Sequence, residues 1–353
     1  MNLKNLRRQI DSLDKKIVQL LNTRAKLTSK IAKLKRRKGL ALYSPDRERE
    51  VLNKITTISK GPLAATAIEG IYREIMSSSL SSEKPLKIAY MGPEATFSHL
   101  AALKRFGSQV DYIACEGISD VFLEVERDSV DYGVVPIENS IEGAVSHTLD
   151  MLVDSDLKIC AQVILYVSHN LLGNCPISKI KRIYSNPQVF GQCRIWLREN
   201  LPTVQTIDVS STTAAAQVAV KEKSSACIAS LLAAKVYKLK VIAKDIEDSP
   251  HNITRFLVIG KSDVPKTNSD KTSIIFSIKD KIGALHEMLL PFKKYDINLT
   301  KIESRPSKRK AWDYYFFVDL EGHRDNPRIK KALMELESKC RFLKILGSYP
   351  IGE

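Results

Sequence analysis

The chain has 353 residues, 44% hydrophobic and 27% charged, an ordinary balance for a globular protein of two or three domains with separate cores. No window approaches the ~18 uninterrupted apolar residues of a membrane span, and the first residues lead into a charged amphipathic pattern, which predicts no signal peptide. The six cysteines (115, 160, 175, 193, 227 and 340) are scattered without a C-x-x-C pair, which argues against a metal site or disulfide framework and fits a reducing cytoplasm. The net charge of +15 is uneven: residues 1–85 hold 19 Lys and Arg against 8 Asp and Glu, and the rest hold 36 against 32. A basic first quarter suits nucleic acid, an acidic surface or small polyanions.

In chain order, residues 1–85 read as helical. Leu3, Leu6, Ile10, Leu13, Ile17, Leu20, Leu27, Ile31 and Leu34 fall at alternating three- and four-residue steps. This a/d seam, sustained over about 30 residues, predicts coiled packing between subunits. Arg24 occupies the seam position between Leu20 and Leu27. Gly39 predicts the helix end, a second helix begins near Pro45–Arg47, and a third runs from about Pro62 to Ser82. An arginine in a seam needs an anionic partner, either a carboxylate such as Glu48 or Glu69 or an anionic ligand. Lys35 follows Arg24 by close to three full turns and shares its face. Arg7 lies roughly 25 Å earlier along the axis and points about 100° away. One helix cannot bring Arg7 and Arg24 onto one small ligand, whereas an antiparallel helix from a second subunit can.

Ser81 to Pro85 reads as a linker. Beyond it, short apolar runs (LKIAYMG, GVVPI, KICAQVILYVSH, KRIYS, ACIAS, RFLVIG) alternate with helical stretches, an α/β segment lasting to about Lys261. Within it, Tyr132–Leu152 reads as a buried strand ending in Val134-Val135, with Pro136 ending the ladder. Glu138, Asn139 and Ser140 follow, and Gly143 opens a helix with Ala144, Thr148, Met151 and Leu152 at helical spacing. Polar groups between a strand end and a helix start are where open α/β sheets bind ligands; a solvated loop with a capping Ser140 or Asn139 is the plain alternative. Similar clusters occur at Gly92–Ser98, at Ser185-Asn186-Pro187-Gln188 with Gln192 and Cys193 on the next helix, at Ser211-Thr212-Thr213, and at Asn252-Ile253-Thr254-Arg255-Phe256. Singly these are helix caps, and together they favour a ligand cleft. After a polar linker at 262–271, the order is strand (Thr272–Ile278), helix (Ala284–Tyr295), strand (Leu299–Ser304), strand (Asp313–Leu320), helix (Pro327–Lys339) and strand (Phe342–Gly347). This is the βαββαβ, ferredoxin-like arrangement.

Residues 1–84 resemble the all-helical chorismate mutases through LRRQIDSLD, LLNTRAKLTSKIAKLK and SPDREREVL. The resemblance implies an intertwined three-helix dimer whose first site arginine comes from the partner chain. It implies a substrate site of Arg7, Arg24, Lys35, Ser44, Arg47, Glu48, Ser79 and Glu83, with Lys35 and Glu83 catalytic. Rearranging chorismate to prephenate needs no nucleophile, only clamped carboxylates and cations where the breaking ether oxygen gains charge. Arg7, Arg24 and Arg47 would hold carboxylates, Lys35 would face the ether oxygen, and Glu48 would receive the ring hydroxyl. Ser44 stands where the family often has aspartate, and Glu83 where many members carry glutamine. A carboxyl donates a hydrogen bond only when protonated, so mutase activity is expected to rise toward acidic pH. The plain reading of Glu83 is a solvated linker carboxylate.

Residues 86–261 resemble the prephenate dehydratase family through GPEATFSHLA, GVVPIENSIEGAV, HNLL at 169–172, SNPQVFGQC, SSTTAAA and NITRF. The resemblance implies two α/β subdomains around a cleft, like periplasmic binding proteins. It makes Thr254 the residue required for dehydration, with Thr96, Ser98, Asn139, Ser140, Ser211, Thr212, Thr213, Arg255 and Phe256 around prephenate. A threonine hydroxyl is a poor free acid, so Thr254 would act by positioned hydrogen bonding or proton relay. Glu138 either tunes the site or partners Arg255. Asn186 stands where the family often has histidine.

Residues 272–353 resemble the ACT regulatory domain found on prephenate dehydratases, through GALH at 283–286 and ESRP at 303–306. The resemblance implies paired ACT domains that bind phenylalanine through Gly283, Ala284, Leu285, His286, Asn298, Leu299, Glu303 and Ser304, and hence feedback inhibition. The expectation is a multi-domain chain: an all-α three-helix domain (1–84), an α/β two-subdomain unit (86–261) and an α+β ferredoxin-like domain (272–353). It would turn chorismate into phenylpyruvate in the cytoplasm as a homo-oligomer, dimer or tetramer, with no metal, cofactor, nucleic acid or membrane partner. Two alternatives stay open. One is arogenate as the substrate of the central segment. The other is a nucleic-acid-binding regulator, against which stand a single aromatic before Tyr72 (Tyr43), no helix-turn-helix, and Arg24 in the apolar seam.

Overall fold

A computed structural model describes residues 2–38, 43–81, 85–267, 269–278, 281–307 and 314–351. The N-terminal unit contains three helices, α1 (Leu3–Arg37), α2 (Pro45–Ile58) and α3 (Ala65–Ser81). Asn2 caps α1 by accepting the Lys4 N–H, and Lys35, Arg36 and Arg37 occupy its last turn, where the helix dipole favours cations. Pro45 opens α2 with Asp46 and Glu48 in the first turn. The half-buried face of α1 is polar and small, carrying Arg24, Thr28, Ala32 and Lys35. Its apolar seam faces the other way: Leu3, Ile10, Leu13, Ile17, Leu20, Leu27, Ile31 and Leu34 are all exposed, Leu20 to 69%. Arg24 lies at the edge of that seam, and its long side chain turns toward α3.

Two α/β subdomains follow. The first sheet holds β1 (Lys87–Met91), β2 (Asp111–Cys115), β3 (Tyr132–Asn139), β4 (Gly143–Ala144) and β5 (Lys158–Tyr166). The second holds β6 (Asn170–Gly173), β7 (Arg182–Ser185), β8 (Gln205–Asp208), β9 (Ser225–Ala229) and β10 (Lys240–Ala243). The chain then returns to the first sheet as β11 (Ile253–Gly260). The strand orders are β2-β1-β3-β11-β5, with β4 on β3, and β10-β6-β9-β7-β8. The chain thus crosses between subdomains twice, after β5 and before β11. Helices α4 (Phe97–Phe106), α5 (Ile118–Glu126) and α6 (Ser146–Asp154) belong to the first subdomain. Helices α7 (Pro187–Gln192), α8 (Arg194–Asn200), α9 (Thr212–Lys221) and α10 (Leu231–Val236) belong to the second.

Two sequence expectations for this region are corrected. Pro136 does not end the ladder: β3 runs through it to Asn139 with a bulge at Ile137, the extra residue between the Pro136–Phe256 and Glu138–Arg255 pairs. A bulge is one of the few places where a strand tolerates a residue without an N–H. Gly143, with φ +82°, opens not a helix but the short strand β4, which pairs back on Glu138 and Asn139. Helix α6 starts only at Ser146.

The C-terminal segment is β12 (Asp270–Ser277), α11 (Ala284–Lys294), β13 (Leu299–Pro306), β14 (Tyr314–Glu321), α12 (Pro327–Lys339) and β15 (Phe342–Pro350). Its antiparallel sheet has the order β13-β14-β12-β15. One face carries Ile274, Phe276, Val318 and Leu320 onto the two helices. The other carries Ile275, Tyr315, Phe317, Leu346 and Tyr349 into a common core with Val135, Ile137, Leu152, Ile159 and Leu257 of the first subdomain. Alternation with period two allows one sheet to serve both cores.

Candidate functional site

The ends of β3 and β11 meet where the sequence places its densest polar cluster. Thr254 is paired across the ladder with Asn139. Asn139 Nδ2 donates to Thr254 Oγ1 at 2.8 Å and to Asn252 Oδ1 at 2.8 Å, while Asn139 Oδ1 accepts the Ile141 and Glu142 N–H groups of the tight turn into β4. Because backbone N–H groups can only donate, they fix which end of the amide is oxygen. Asn139 must therefore donate to Thr254. One lone pair of Oγ1 is thereby occupied, and the Thr254 proton is left to point elsewhere.

The network continues across the subdomains. Asn252 Nδ2 donates to Gln192 Oε1 at 2.9 Å, and Gln192 Nε2 donates to Glu142 Oε1 at 3.1 Å. Glu142 closes the ring at both ends, donating its N–H to Asn139 and accepting from Gln192 through its carboxylate. Gln192 Oε1 also lies 2.7 Å from His169 Nε2. That oxygen can only accept, so His169 carries its proton on Nε2. Burial lowers the His169 pKa, against the opposing pull of Gln192 and Glu247, and the ring is neutral near pH 7.

The other residues singled out for the cleft fall into distinct places. Thr96 Oγ1 donates to the Met91 carbonyl and accepts the His99 N–H at the start of α4, and Ser98 is buried beside it. Ser140 donates to the His251 carbonyl and accepts the Ile253 N–H, pinning the segment that leads into Thr254. Ser211 caps α9 through the Ala214 N–H. Thr212 and Thr213 are buried, and Thr213 Oγ1 has no hydrogen-bond partner among the described residues. Asn186 caps α7 through the Val189 N–H. Phe256 is buried. Arg255 is not brought to Thr254: it leaves on the opposite face of the sheet, toward Asp319 at 2.5 Å. Glu138 is on that face too, 2.8 Å from Lys301 and 3.8 Å from Arg255.

In the helical unit, Arg24 Nη1 donates to Ser79 Oγ at 2.9 Å, and Lys35 Nζ donates to Ser44 Oγ at 2.7 Å. Burial lowers the Arg24 pKa, and the nearby Arg47 charge lowers it further against Tyr72. Burial also lowers that of Lys35, partly offset by Asp46. Two half-buried cations on one helix face, one of them under the charge of the exposed Arg47, would be relieved by an anion. Arg47 lies 2.5 Å from Glu50, and Glu48 is in the first turn of the same helix. Arg7 is exposed, near the opposite end of α1. Glu83 falls outside the described residues.

In the C-terminal domain a hollow of about 290 Å³ is lined by Gly283, Ala284, Leu285 and His286 together with Ile278, Lys281, Tyr314 and Phe316. Gly283 has φ +74°, a left-handed conformation that starts α11 and favours glycine. Asn298, Leu299, Glu303 and Ser304 lie on and before β13 and do not line it.

Family models match in the same order along the chain: chorismate mutase type II over residues 6–84, prephenate dehydratase over 88–264 and the ACT domain over 272–338. A bifunctional chorismate mutase/prephenate dehydratase from Aquifex aeolicus is 50% identical over 353 residues, covering 99% of this chain and 98% of its own. The chain belongs to the bifunctional chorismate mutase/prephenate dehydratase family. A second member, from Pseudomonas aeruginosa, is 46% identical over 99% of this chain and 97% of its own. The crystal structure of a prephenate dehydratase from Arthrobacter aurescens, in complex with L-Phe, superposes with a TM-score of 0.70 at 32% identity. It covers 75% of this chain and 90% of that one. Nothing in these likenesses favours the nucleic-acid-binding reading.

Within the dehydratase domain, the sequence placed Gln192 and Asn252 in cleft-forming clusters without giving them a role around the substrate, and it gave His169 and Glu142 no place in the site. Their signals were present in GQC, NITRF, HNLL and NSIEG. What links them is amide and carboxylate polarity around a ring, which only coordinates reveal.

Proposed function

We propose that the helical domain rearranges chorismate to prephenate, that the cleft at Thr254 converts prephenate to phenylpyruvate, and that phenylalanine bound to the ACT domain restrains the second step. In the helical domain, Arg24 and Lys35 stand half-buried on one face of α1 and the Arg47 charge acts on Arg24, a supply of positive charge that calls for no nucleophile. That is the need of a rearrangement in which an ether oxygen gains charge while two carboxylates are clamped. The exposed apolar seam of α1 supports a second chain packed along it, and that chain's Arg7 would complete the site. Six free cysteines support a reducing, cytoplasmic setting.

In the dehydratase step the ring carboxylate departs as carbon dioxide. The electrons of its carbon–carbon bond enter the ring, and the ring hydroxyl departs as hydroxide, which takes up one proton and leaves as water. The observation that carries the reading is the hydrogen bond from Asn139 to Thr254. It leaves the Thr254 O–H free to donate to the departing oxygen, where negative charge grows. The proton is then restored from solvent.

The test is a single assay in which purified protein is given chorismate and both prephenate and phenylpyruvate are followed, with and without phenylalanine. Thr254→Ala should let prephenate accumulate, with phenylpyruvate formation reduced about 100-fold or more, the usual scale for a lost donor at developing charge. Undiminished phenylpyruvate formation would refute the role given to Thr254.

A further inference from the structure

Arg255 and Glu138 lie one residue from Thr254 and Asn139. The two strands pair residue by residue, Thr254 with Asn139 and Arg255 with Glu138. Successive side chains of a strand leave on opposite faces, so Thr254 and Asn139 face the cleft while Arg255 and Glu138 face the ACT domain. There Arg255 is almost buried. Its Nη1 lies 2.5 Å from Asp319 Oδ2, and its Nη2 donates to Tyr349 Oη at 2.9 Å. Ser273 Oγ holds the other oxygen of Asp319. Burial pulls the Arg255 pKa down, but the facing oxygens of Tyr349, Asp319 and Glu138 outweigh it, and the guanidinium stays charged. Lys301 Nζ, on β13, forms an ion pair with Glu138 Oε2 at 2.8 Å. Three ACT strands, β13, β14 and β15, thus grip the two strands that carry the reacting groups.

The same domain also fastens α6, the helix after the Asn139 turn. Arg305 Nη2 donates to Asp150 Oδ1 at 2.9 Å, and Lys344 Nζ donates to the Leu152, Val153 and Ser155 carbonyls, acceptors at a helix end that lacks its own donors. Strand β14 has two working sides. Tyr314 and Phe316 line the hollow beside Gly283, whereas Tyr315 and Phe317 enter the shared core and Asp319 meets Arg255.

We propose that Asp319 of the ACT domain is a positioning residue for the dehydratase reaction: by fixing Arg255 it holds Thr254 in register with Asn139, and β14 makes that hold sensitive to what occupies the hollow beside Phe316. The inference rests on reading Thr254 as the donor to the departing hydroxyl. Removing the Asp319 charge leaves a buried guanidinium short of its partner, and β11 must shift to satisfy it. A displacement of about 1 Å at a reacting group costs up to roughly 100-fold in rate.

The test uses the full chain. Asp319→Asn should lower dehydratase kcat at least about tenfold with KM changed less than about twofold. Chorismate mutase turnover should be unchanged, phenylalanine inhibition blunted, and Asp319→Glu should recover most of the loss. Lys301→Gln, which frees the neighbouring Glu138, should act in the same direction and serves if Asp319→Asn is insoluble. Wild-type kcat and undiminished phenylalanine inhibition in these variants would overturn the proposal, as would a loss confined to KM. If Thr254→Ala retains activity in the same assay, the reading of Thr254 fails instead. If Thr254→Ala is inactive while Asp319→Asn is fully active, only the present inference fails.

Discussion

At the scale of single residues, the proposed dehydratase site is set by hydrogen-bond direction more than by charge. Thr254 and Asn139 are neutral, and the polarity of the ring through Asn252, Gln192 and Glu142 follows from two turn N–H groups and one carboxylate. His169 is the titratable member attached to that ring, and its burial has a consequence for stability. Its Nε2 proton is committed to Gln192, and its Nδ1 is buried without a partner among the described residues. A second proton would sit there unpaired. The folded-state pKa therefore lies below the unfolded value of about 6.5. Between the two values the unfolded chain binds a proton that the native state refuses, so stability is complete above about pH 6.5 and falls as pH drops below it. The buried His99, also lowered by burial, acts in the same sense. The urea midpoint should thus be lower at pH 5.5 than at pH 7.5, and His169→Gln should flatten that dependence in part. An equal pH dependence in wild type and variant would show that His169 is not held neutral by the fold. Thr254 and Asn139 were legible in the sequence as members of polar clusters at strand ends. The direction of Arg255 was not, because neighbours in a strand read as one motif while the pleat sends them to different domains.

At the scale of elements, what could be read from sequence divides along the same line. Local periodicity marks the strands, the three N-terminal helices and the βαββαβ order of the last domain. It cannot see β3 continuing past Pro136, because the bulge at Ile137 is defined only by pairing with β11, a strand far along the chain. Nor can it see that the ACT sheet packs its second face on the dehydratase core. In that packing, Gly347 of β15 lies close against β5. A Cβ on Gly347 would stand 2.3 Å from the Ile159 carbonyl oxygen and 2.9 Å from its nitrogen. Both atoms are backbone and cannot turn aside. Gly347→Ala should therefore destabilise this part of the molecule by about 1–3 kcal/mol, the usual cost of overpacking. The loss should appear as a lowered thermal midpoint of the dehydratase–ACT transition, with mutase turnover at 25 °C retained. An unshifted midpoint would mean that the two strands separate freely and that the ACT sheet is not a fixed support for β5.

At the scale of the whole molecule, the open question is what covers α1. Within one chain this helix meets its neighbours through Arg24, Thr28, Ala32 and Lys35 and leaves its apolar seam in solvent. A soluble monomer rarely leaves so long an apolar stripe uncovered, and a seam with heptad spacing is matched by another helix of the same kind. The placement of the cations makes the same demand. Arg7 lies 17 residues before Arg24 on an uninterrupted helix, about 25 Å away, so it cannot reach the site of its own chain. In the proposed antiparallel pair related by a two-fold axis, each site would take Arg7 from one chain and Arg24 from the other. Arg7→Ala and Arg24→Ala should each abolish most mutase activity as homodimers. A hybrid of the two variants places both substitutions in one site and leaves the other intact. Unfolding and refolding an equimolar mixture should therefore restore about a quarter of wild-type mutase activity, since half the dimers are hybrids and each regains one of two sites. Dehydratase activity in the same samples reports whether refolding succeeded. Mixtures as inactive as the separate variants, with dehydratase activity recovered, would show that Arg7 serves its own chain or no site at all.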